Sequence, residues 1–303
     1  MALTYHILDV FTERPFGGNP LAVVLGADRL NTSEMQTIAR EFNLSETVFV
    51  MTSTSPGHTA RIRIFTPSRE LPFAGHPTLG TAVLLAELRG APGNNHNDAI
   101  IALEEEVGSI RVGVRMHGGA AAFGEFDAPK ITNAVETLSE PEQIAASVGL
   151  IPAEIGFENH KPTLIRGVPV FAFVPIANLE AMAKVRIAPQ HWARAFTDKG
   201  IMGVYLYTRQ CVRTHSAFHA RMFAPDIGVP EDPATGSAAA SFAYVVQSFD
   251  ALPDGTHKRQ IEQGFEMGRP SAITLTMAVE RGKLDGVRIG GYAVRVAEGV
   301  LMI

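Results

Sequence analysis

Cysteine is almost absent: Cys211 is the only one in 303 residues. One thiol excludes an intramolecular disulfide, a cysteine-cluster zinc site and any reaction that needs two thiols in one chain. Long apolar runs are missing as well. None approaches the roughly 18 residues of a membrane span, and the longest, such as residues 21–25, suit buried strands. Positive charge is not in excess either, with 26 Lys and Arg against 31 Asp and Glu and a net charge of −5. That balance leaves no electrostatic footprint for nucleic acid and no polybasic patch for anionic membranes. The opening residues lack a basic segment, and Asp9 interrupts the apolar stretch that follows, so no targeting segment is expected. Neither the G-x-G-x-x-G nor the phosphate-loop pattern occurs, nor G-x-S-x-G or H-E-x-x-H. The ten histidines have no metal-ligand spacing. His215 and His219 are four apart but flank a strand-like stretch, where that spacing makes no helical metal pair, so no metal ion is expected. Cys211 follows the strand-like Tyr205-Leu206-Tyr207 and reads as a core thiol.

What is present describes a folded chain. Hydrophobic residues make up 46% and charged residues 19%, the opposite of a disordered composition. The length is about twice that of a usual domain, which predicts a soluble, cytoplasmic protein of two domains. Residues 5–11, 60–65, 110–116, 203–208, 272–279 and 287–296 alternate or are β-branched and read as strands. Residues 300–303 read as the end of a buried strand. Met35, Ile38, Ala39 and Phe42 follow a helical period, with Asn31 and Glu34 placed for a capping box at its start.

Residues 78–88 and 235–246 differ in kind: they are apolar nearly all round, as helices buried on every side would be. Similar punctuation precedes each, Gly75-His76-Pro77-Thr78 and Glu231-Asp232-Pro233-Ala234-Thr235, and 156 positions separate His76 from Asp232. The expected fold is therefore α/β (α+β), two pseudo-symmetric domains, each a curved, mostly antiparallel sheet around a central helix. A Gly/Ala cluster at 118–120 marks the boundary, giving domains 1–117 and 118–291, with the strand 292–303 returning to the first. Residues 90–98 read as an exposed loop.

The helix starts carry the chemistry. A helix N-terminus presents unpaired N–H groups and a partial positive charge, which suits a carboxylate. Pro77 is tolerated there, and Thr78, Thr235, Gly236 and Ser237 let a ligand approach and supply hydroxyls. Two such starts facing one cleft would hold a small carboxylate substrate. Glu46 lies between a helix and an apolar strand, where it is either a solvated turn residue or a semi-buried acid/base of raised pKa. His76 is either structural or a proton shuttle; Asp232 is a helix cap, a substrate ligand, or both. Lys258 and Arg259, with Glu262-Gln263-Gly264, either line the cleft or form a solvated loop.

Longer motifs add a resemblance. Val10-Phe11-Thr12 with residues 15–24, Ala39 to Thr47, Arg63-Ile64-Phe65-Thr66-Pro67 and above all Glu70-Leu71-Pro72-Phe73-Ala74-Gly75-His76-Pro77-Thr78 resemble the phenazine-biosynthesis PhzF-like isomerase family. So do residues 220–225, Glu231-Asp232-Pro233-Ala234-Thr235-Gly236-Ser237-Ala238, Gln263-Gly264 with Met267-Gly268-Arg269-Pro270-Ser271, and Ile289-Gly290-Gly291. The likeness spans nearly the whole chain. It implies a diaminopimelate-epimerase-like fold, no cofactor, a homodimer, and isomerase chemistry on a carboxylate substrate. By the same resemblance Glu46 is the acid/base, His76 and Asp232 join it, and Asn19, Gly75, Pro77, Thr78, Thr235, Gly236 and Ser237 contact substrate. Epimerases of this fold carry cysteines at the two helix starts; here Gly75-His76 and Gly236-Ser237 stand there, so two-thiol racemisation is excluded. A racemase, epimerase or lyase of another mechanism, or a non-catalytic binding protein, are the alternatives. In one departure from the family pattern Arg166 precedes Gly167, which predicts an added cation at the cleft edge.

Overall fold

The computed structural model describes residues 2–90, 98–116, 121–129, 135–167 and 169–303. The first half runs β1 (Ala2–Val10), β2 (Asn19–Leu25), α1 (Thr32–Phe42), β3 (Glu46–Met51), β4 (Ala60–Phe65), β5 (Glu70–Leu71), α2 (Gly75–Arg89), β6 (Ala99–Glu105), β7 (Gly108–Arg115) and β8 (Ala121–Asp127). The second runs β9 (Val135–Thr137), α3 (Pro141–Ser147), β10 (Thr163–Arg166), β11 (Val170–Pro175), α4 (Leu179–Lys184), α5 (Pro189–Ala195), β12 (Gly203–Thr208) and β13 (Phe218–Ala224). It ends with β14 (Val229–Asp232), α6 (Gly236–Asp250), β15 (Gly255–Gln263), β16 (Ser271–Glu280) and β17 (Lys283–Met302).

Strand pairing repeats between the halves. β1–β2 is antiparallel, β2–β3 parallel, β3–β4 antiparallel, β4–β6 parallel, and β6–β7 and β7–β8 antiparallel. The same series recurs in β10–β11, β11–β12, β12–β13, β13–β15, β15–β16 and β16–β17. Short β5 and β14 fold back on β4 and β13 just before α2 and α6. β17 ties the halves together: Lys283 to Gly290 pair with β16, and Ala293 to Met302 pair with β1. It also pairs with β8, closing a barrel around α2. Residues 118–120 and 91–97 lie outside the described residues; β7 and β8 pair with each other and both pack on α2.

The two central helices form because their residues are small or apolar on every face. Every residue of α2 from Gly75 to Leu84 is buried, as is nearly all of α6 from Gly236 to Val246. Phe242 of α6 is ringed by Phe173, Tyr205, Tyr207 and Phe218, a cluster in which each aromatic side chain contributes about 2–3 kcal/mol by leaving water. α1 instead packs one stripe, Met35, Ile38 and Ala39, on the outside of the first sheet. Its capping box is formed, with Asn31 Oδ1 accepting from the Glu34 N–H at 3.0 Å and Glu34 Oε2 from the Asn31 N–H at 2.8 Å.

Two expectations are corrected, and one group of helices is added. The C-terminal residues do form the end of a strand, but Val300, Met302 and Ile303 are 54%, 84% and 46% exposed; this end of β17 extends beyond the core along β1, and Leu301 alone packs inward. Cys211 is half-buried on the turn after β12, its thiol pushed up to about 12 by burial and by the charge of Glu262. The short helices α3, α4 and α5, absent from the periodicity, cover an outer cluster around Trp192, Phe196 and Met182. Among the described residues, no helix is long and apolar enough to cross a membrane.

Candidate active site

α2 and α6 meet head to head. A methyl group placed on Gly75 would lie 2.9 Å from the Cα of Gly236, and one on Gly236 would lie 3.2 Å from the Cα of Gly75. Only residues without a Cβ permit that approach. The first helical hydrogen bonds are Thr78 N–H to Ala74 and Ala239 N–H to Thr235. The N–H groups of Gly75, His76, Gly236 and Ser237 precede them and have no partner inside their helices; Pro77 has none to offer. Both helix starts open on a cavity of about 240 Å³.

The floor of this cavity holds three titratable groups. Glu46, at the first position of β3, has 12% of its side chain exposed, and its Oε2 lies 3.5 Å from Nε2 of buried His76. Neither of these atoms has a hydrogen-bond partner among the described residues. Asn19, fully buried at the start of β2, is the hub behind them. Its amide donates to Asp232 Oδ1 at 2.8 Å and to the Ala234 carbonyl at 2.9 Å, and faces His76 Nδ1 at 3.2 Å. An amide nitrogen accepts no hydrogen bond, so Nδ1 is unprotonated and the ring proton sits on Nε2, toward Glu46. The Thr235 hydroxyl donates to the other Asp232 oxygen. Gln263 holds the Asp232–Thr235 turn through the Asp232 carbonyl (2.8 Å) and the Thr235 N–H (3.2 Å).

Burial sets the protonation states, because low polarity disfavours charge. It raises the Glu46 carboxyl well above the usual carboxylate range, and the negative charge of Asp232 raises it further. It raises Asp232 too, against hydrogen bonds from Thr235, Ser45 and Asn19 that favour its ionised form. It lowers His76 to about 3, so the imidazole is neutral at physiological pH. The site is therefore a pair of buried carboxyls, both of raised pKa, beside a neutral imidazole N–H.

The remaining candidates are divided. Gly75, Thr235, Gly236 and Ser237 line the cavity, although the Thr235 hydroxyl is committed to Asp232. Thr78 does not offer its hydroxyl to a ligand: fully buried, it bonds the Ala74 carbonyl at 2.8 Å and Glu105 at 2.7 Å on the far side of α2. Pro77 is buried in the same turn. Arg166 is not a cleft cation, since it turns outward to Glu136 at 3.1 Å. Lys258 is exposed on β15, its ammonium 5.9 Å from the Phe123 ring, and neither it nor Arg259 lines the cavity. Glu262 bonds His219 at 2.8 Å, and Glu266 takes its other nitrogen at 2.9 Å, which makes His219 part of a buried ion cluster. Sequence reasoning missed the apolar wall formed by Phe171, Met202, Met222, Ile227 and Val229, and missed Arg69 at the rim. Nothing in its spacing separates Arg69 from an ordinary turn arginine.

The sequence model of the family described as phenazine biosynthesis-like protein matches residues 8–299. The chain belongs to that family. It is 50% identical to an uncharacterized isomerase of Mesorhizobium japonicum over 99% of this chain and 98% of the relative. It is 34% identical to the trans-2,3-dihydro-3-hydroxyanthranilate isomerase of Pseudomonas chlororaphis over 99% of both chains. The PhzF-family phenazine biosynthesis protein of Bacillus anthracis superposes over 100% of both chains with a TM-score of 0.85 at 25% identity. A hydroxyproline epimerase of Agrobacterium vitis, 11% identical, shares the fold with a TM-score of 0.62 over 99% of this chain and 91% of its own. The PhzF-like chain is thus an isomerase with the epimerase-like two-half architecture.

Proposed function

We propose that this isomerase moves a proton between two carbons of a small carboxylate-bearing substrate, with Glu46 as the acid/base. One observation carries the reading: Glu46 Oε2 and His76 Nε2, buried and without partners, face the cavity onto which both helix starts open. An unsatisfied buried polar pair is costly in a resting protein, and a substrate relieves it. The helix N–H groups hold the substrate carboxylate. Ionised Glu46 then takes a proton from a carbon beside the unsaturated system; the C–H electron pair enters that system, and Glu46 returns the proton to a different carbon. Nothing is oxidised or reduced. The His76 Nε2–H donates to a substrate oxygen on which negative charge grows.

The compound named for the Pseudomonas relatives is the first to test. Turnover of trans-2,3-dihydro-3-hydroxyanthranilate, or of another small cyclic hydroxy- or amino-carboxylate, is expected to show a primary isotope effect when the migrating hydrogen is deuterium. Absence of both turnover and solvent exchange in heavy water across such a panel would overturn the proposal. Exchange without net isomerisation would redirect it to epimerisation on the same fold.

The pH profile supplies a second test. Glu46 must be ionised to accept the proton, so kcat/KM rises with pH through a value above the ordinary 4.5 of a glutamate. Asp232→Asn removes the neighbouring negative charge and lowers the Glu46 pKa. The acidic limb is then expected to move to lower pH, whatever happens to the maximal rate. A limb that stays in place would show that Glu46 does not govern it.

A further inference from the structure

The cavity has a floor of acids and helix N–H groups, and a wall that is apolar. Among the described residues one cation lines it, Arg69, between β4 and β5. Its guanidinium reaches no carboxylate. The acid beside it, Glu70, is held bidentately by Arg63 at 2.6 Å for both bonds, and among the described residues the one hydrogen-bond partner of Arg69 Nη2 is the Met202 thioether. Sulfur is a weak acceptor, and a guanidinium carries five donors in a planar fork suited to a carboxylate.

The backbone that presents Arg69 is fixed. Its carbonyl accepts from the Thr66 N–H at 2.8 Å, and its own N–H donates to the Thr66 hydroxyl at 3.0 Å. The adjacent Ser68 hydroxyl donates to the Ile227 carbonyl of the other half at 2.6 Å. Arg69 is exposed whereas Glu46, His76 and Asp232 are nearly or fully buried, so it stands at the mouth with the apolar wall between. A ligand that satisfies every surface has a carboxylate at the floor, a flat apolar body, and a second acidic group at the rim.

Resting on the carboxylate-site reading above, we propose that Arg69 is a specificity-determining residue that binds a second anionic group, and that the preferred substrates of this isomerase are small unsaturated dicarboxylates. Charge-assisted bidentate bonds are about twice as strong as neutral ones, so the second carboxylate is recognised selectively.

Binding of benzoate and of the 1,3- and 1,4-benzenedicarboxylates, measured by calorimetry at constant ionic strength on the intact protein, tests this. The better dicarboxylate is expected to bind wild type about tenfold more tightly than benzoate. In Arg69→Met that ratio falls to about one, and in Arg69→Lys, which keeps the charge but not the fork, it is intermediate. A ratio near one in wild type, or a ratio that survives in Arg69→Met, overturns the role of Arg69 while leaving the carboxylate site standing. If neither benzoate nor a dicarboxylate binds, the carboxylate site itself is wrong and the Arg69 proposal falls with it. Because Arg69 is exposed, both variants are expected to fold.

Discussion

Glu46→Gln is expected to lower kcat by about 10³-fold, within the usual range for removal of a general acid/base, and to make the protein more stable. Both effects have the same origin. The glutamate carboxyl is held above its ordinary pKa by burial and by Asp232, and each unit of that rise is worth about 1.4 kcal/mol between the two protonation states. A raised folded-state value means that the stabilising contribution is full below the unfolded pKa and is lost as pH climbs through the folded one. At neutral and alkaline pH the ionisable carboxyl is therefore a burden on folding, and a neutral amide of the same shape lifts it. Thermal unfolding from pH 5 to 9 is expected to show the variant pulling ahead of wild type as pH rises, while isotope exchange into substrate disappears. A variant that keeps its turnover would remove Glu46 from the reaction. One that is less stable at every pH would mean that the carboxylate is held by contacts rather than strained.

The second large effect is steric. Gly75→Ala brings a methyl group to within 2.9 Å of the Gly236 Cα and carbonyl carbon and 3.0 Å of the Ser237 nitrogen. All three are backbone atoms with no side-chain torsion to absorb the clash, so the two helix starts must part. The expected cost is about 1–3 kcal/mol of stability, although alanine is the better helix former by about 1 kcal/mol. Because both helix starts carry the N–H groups that face the cavity, kcat/KM is expected to fall about 10²-fold, the usual effect of a displacement near 1 Å in an active site. Gly113→Ala is the control: its methyl group would meet only the Glu125 carbonyl oxygen, at 3.8 Å. Denaturant unfolding and kcat/KM measured on both variants separate the clash at the helix starts from the general effect of replacing a glycine.

Particular elements show what local pattern conveys. Residues 60–65 and 203–208 coincide with β4 and β12 because strand alternation is a local property. The capping box at Asn31 and Glu34 formed for the same reason. α2 begins at Gly75, earlier than residues 78–88 indicate, because Gly, His and Pro weaken a helix interior but suit its first turn. α6 continues past 246 to Asp250, where Gln247 and Ser248 mark its emergence at the surface. The repeat between the halves is invisible residue by residue because pairing order recurs, not identity.

By itself the sequence determined that a two-thiol reaction is excluded, that two all-round apolar helices are buried, and that Glu46, His76 and Asp232 stand in motifs of one isomerase family. These follow from composition, periodicity and contiguous motifs, all of which are local. The tertiary structure decided which atoms meet. It buried Glu46 and set it near the Asp232 carboxylate, from which it is separated by more than half the chain, and burial first, then that charge, raised the Glu46 pKa. It turned Thr78 toward Glu105 and Arg166 toward Glu136, away from the cavity, and set Arg69 at the mouth instead. Burial, unpaired N–H groups and the absence of a counter-charge are relations between distant segments, and they exist only once both halves have closed around their central helices.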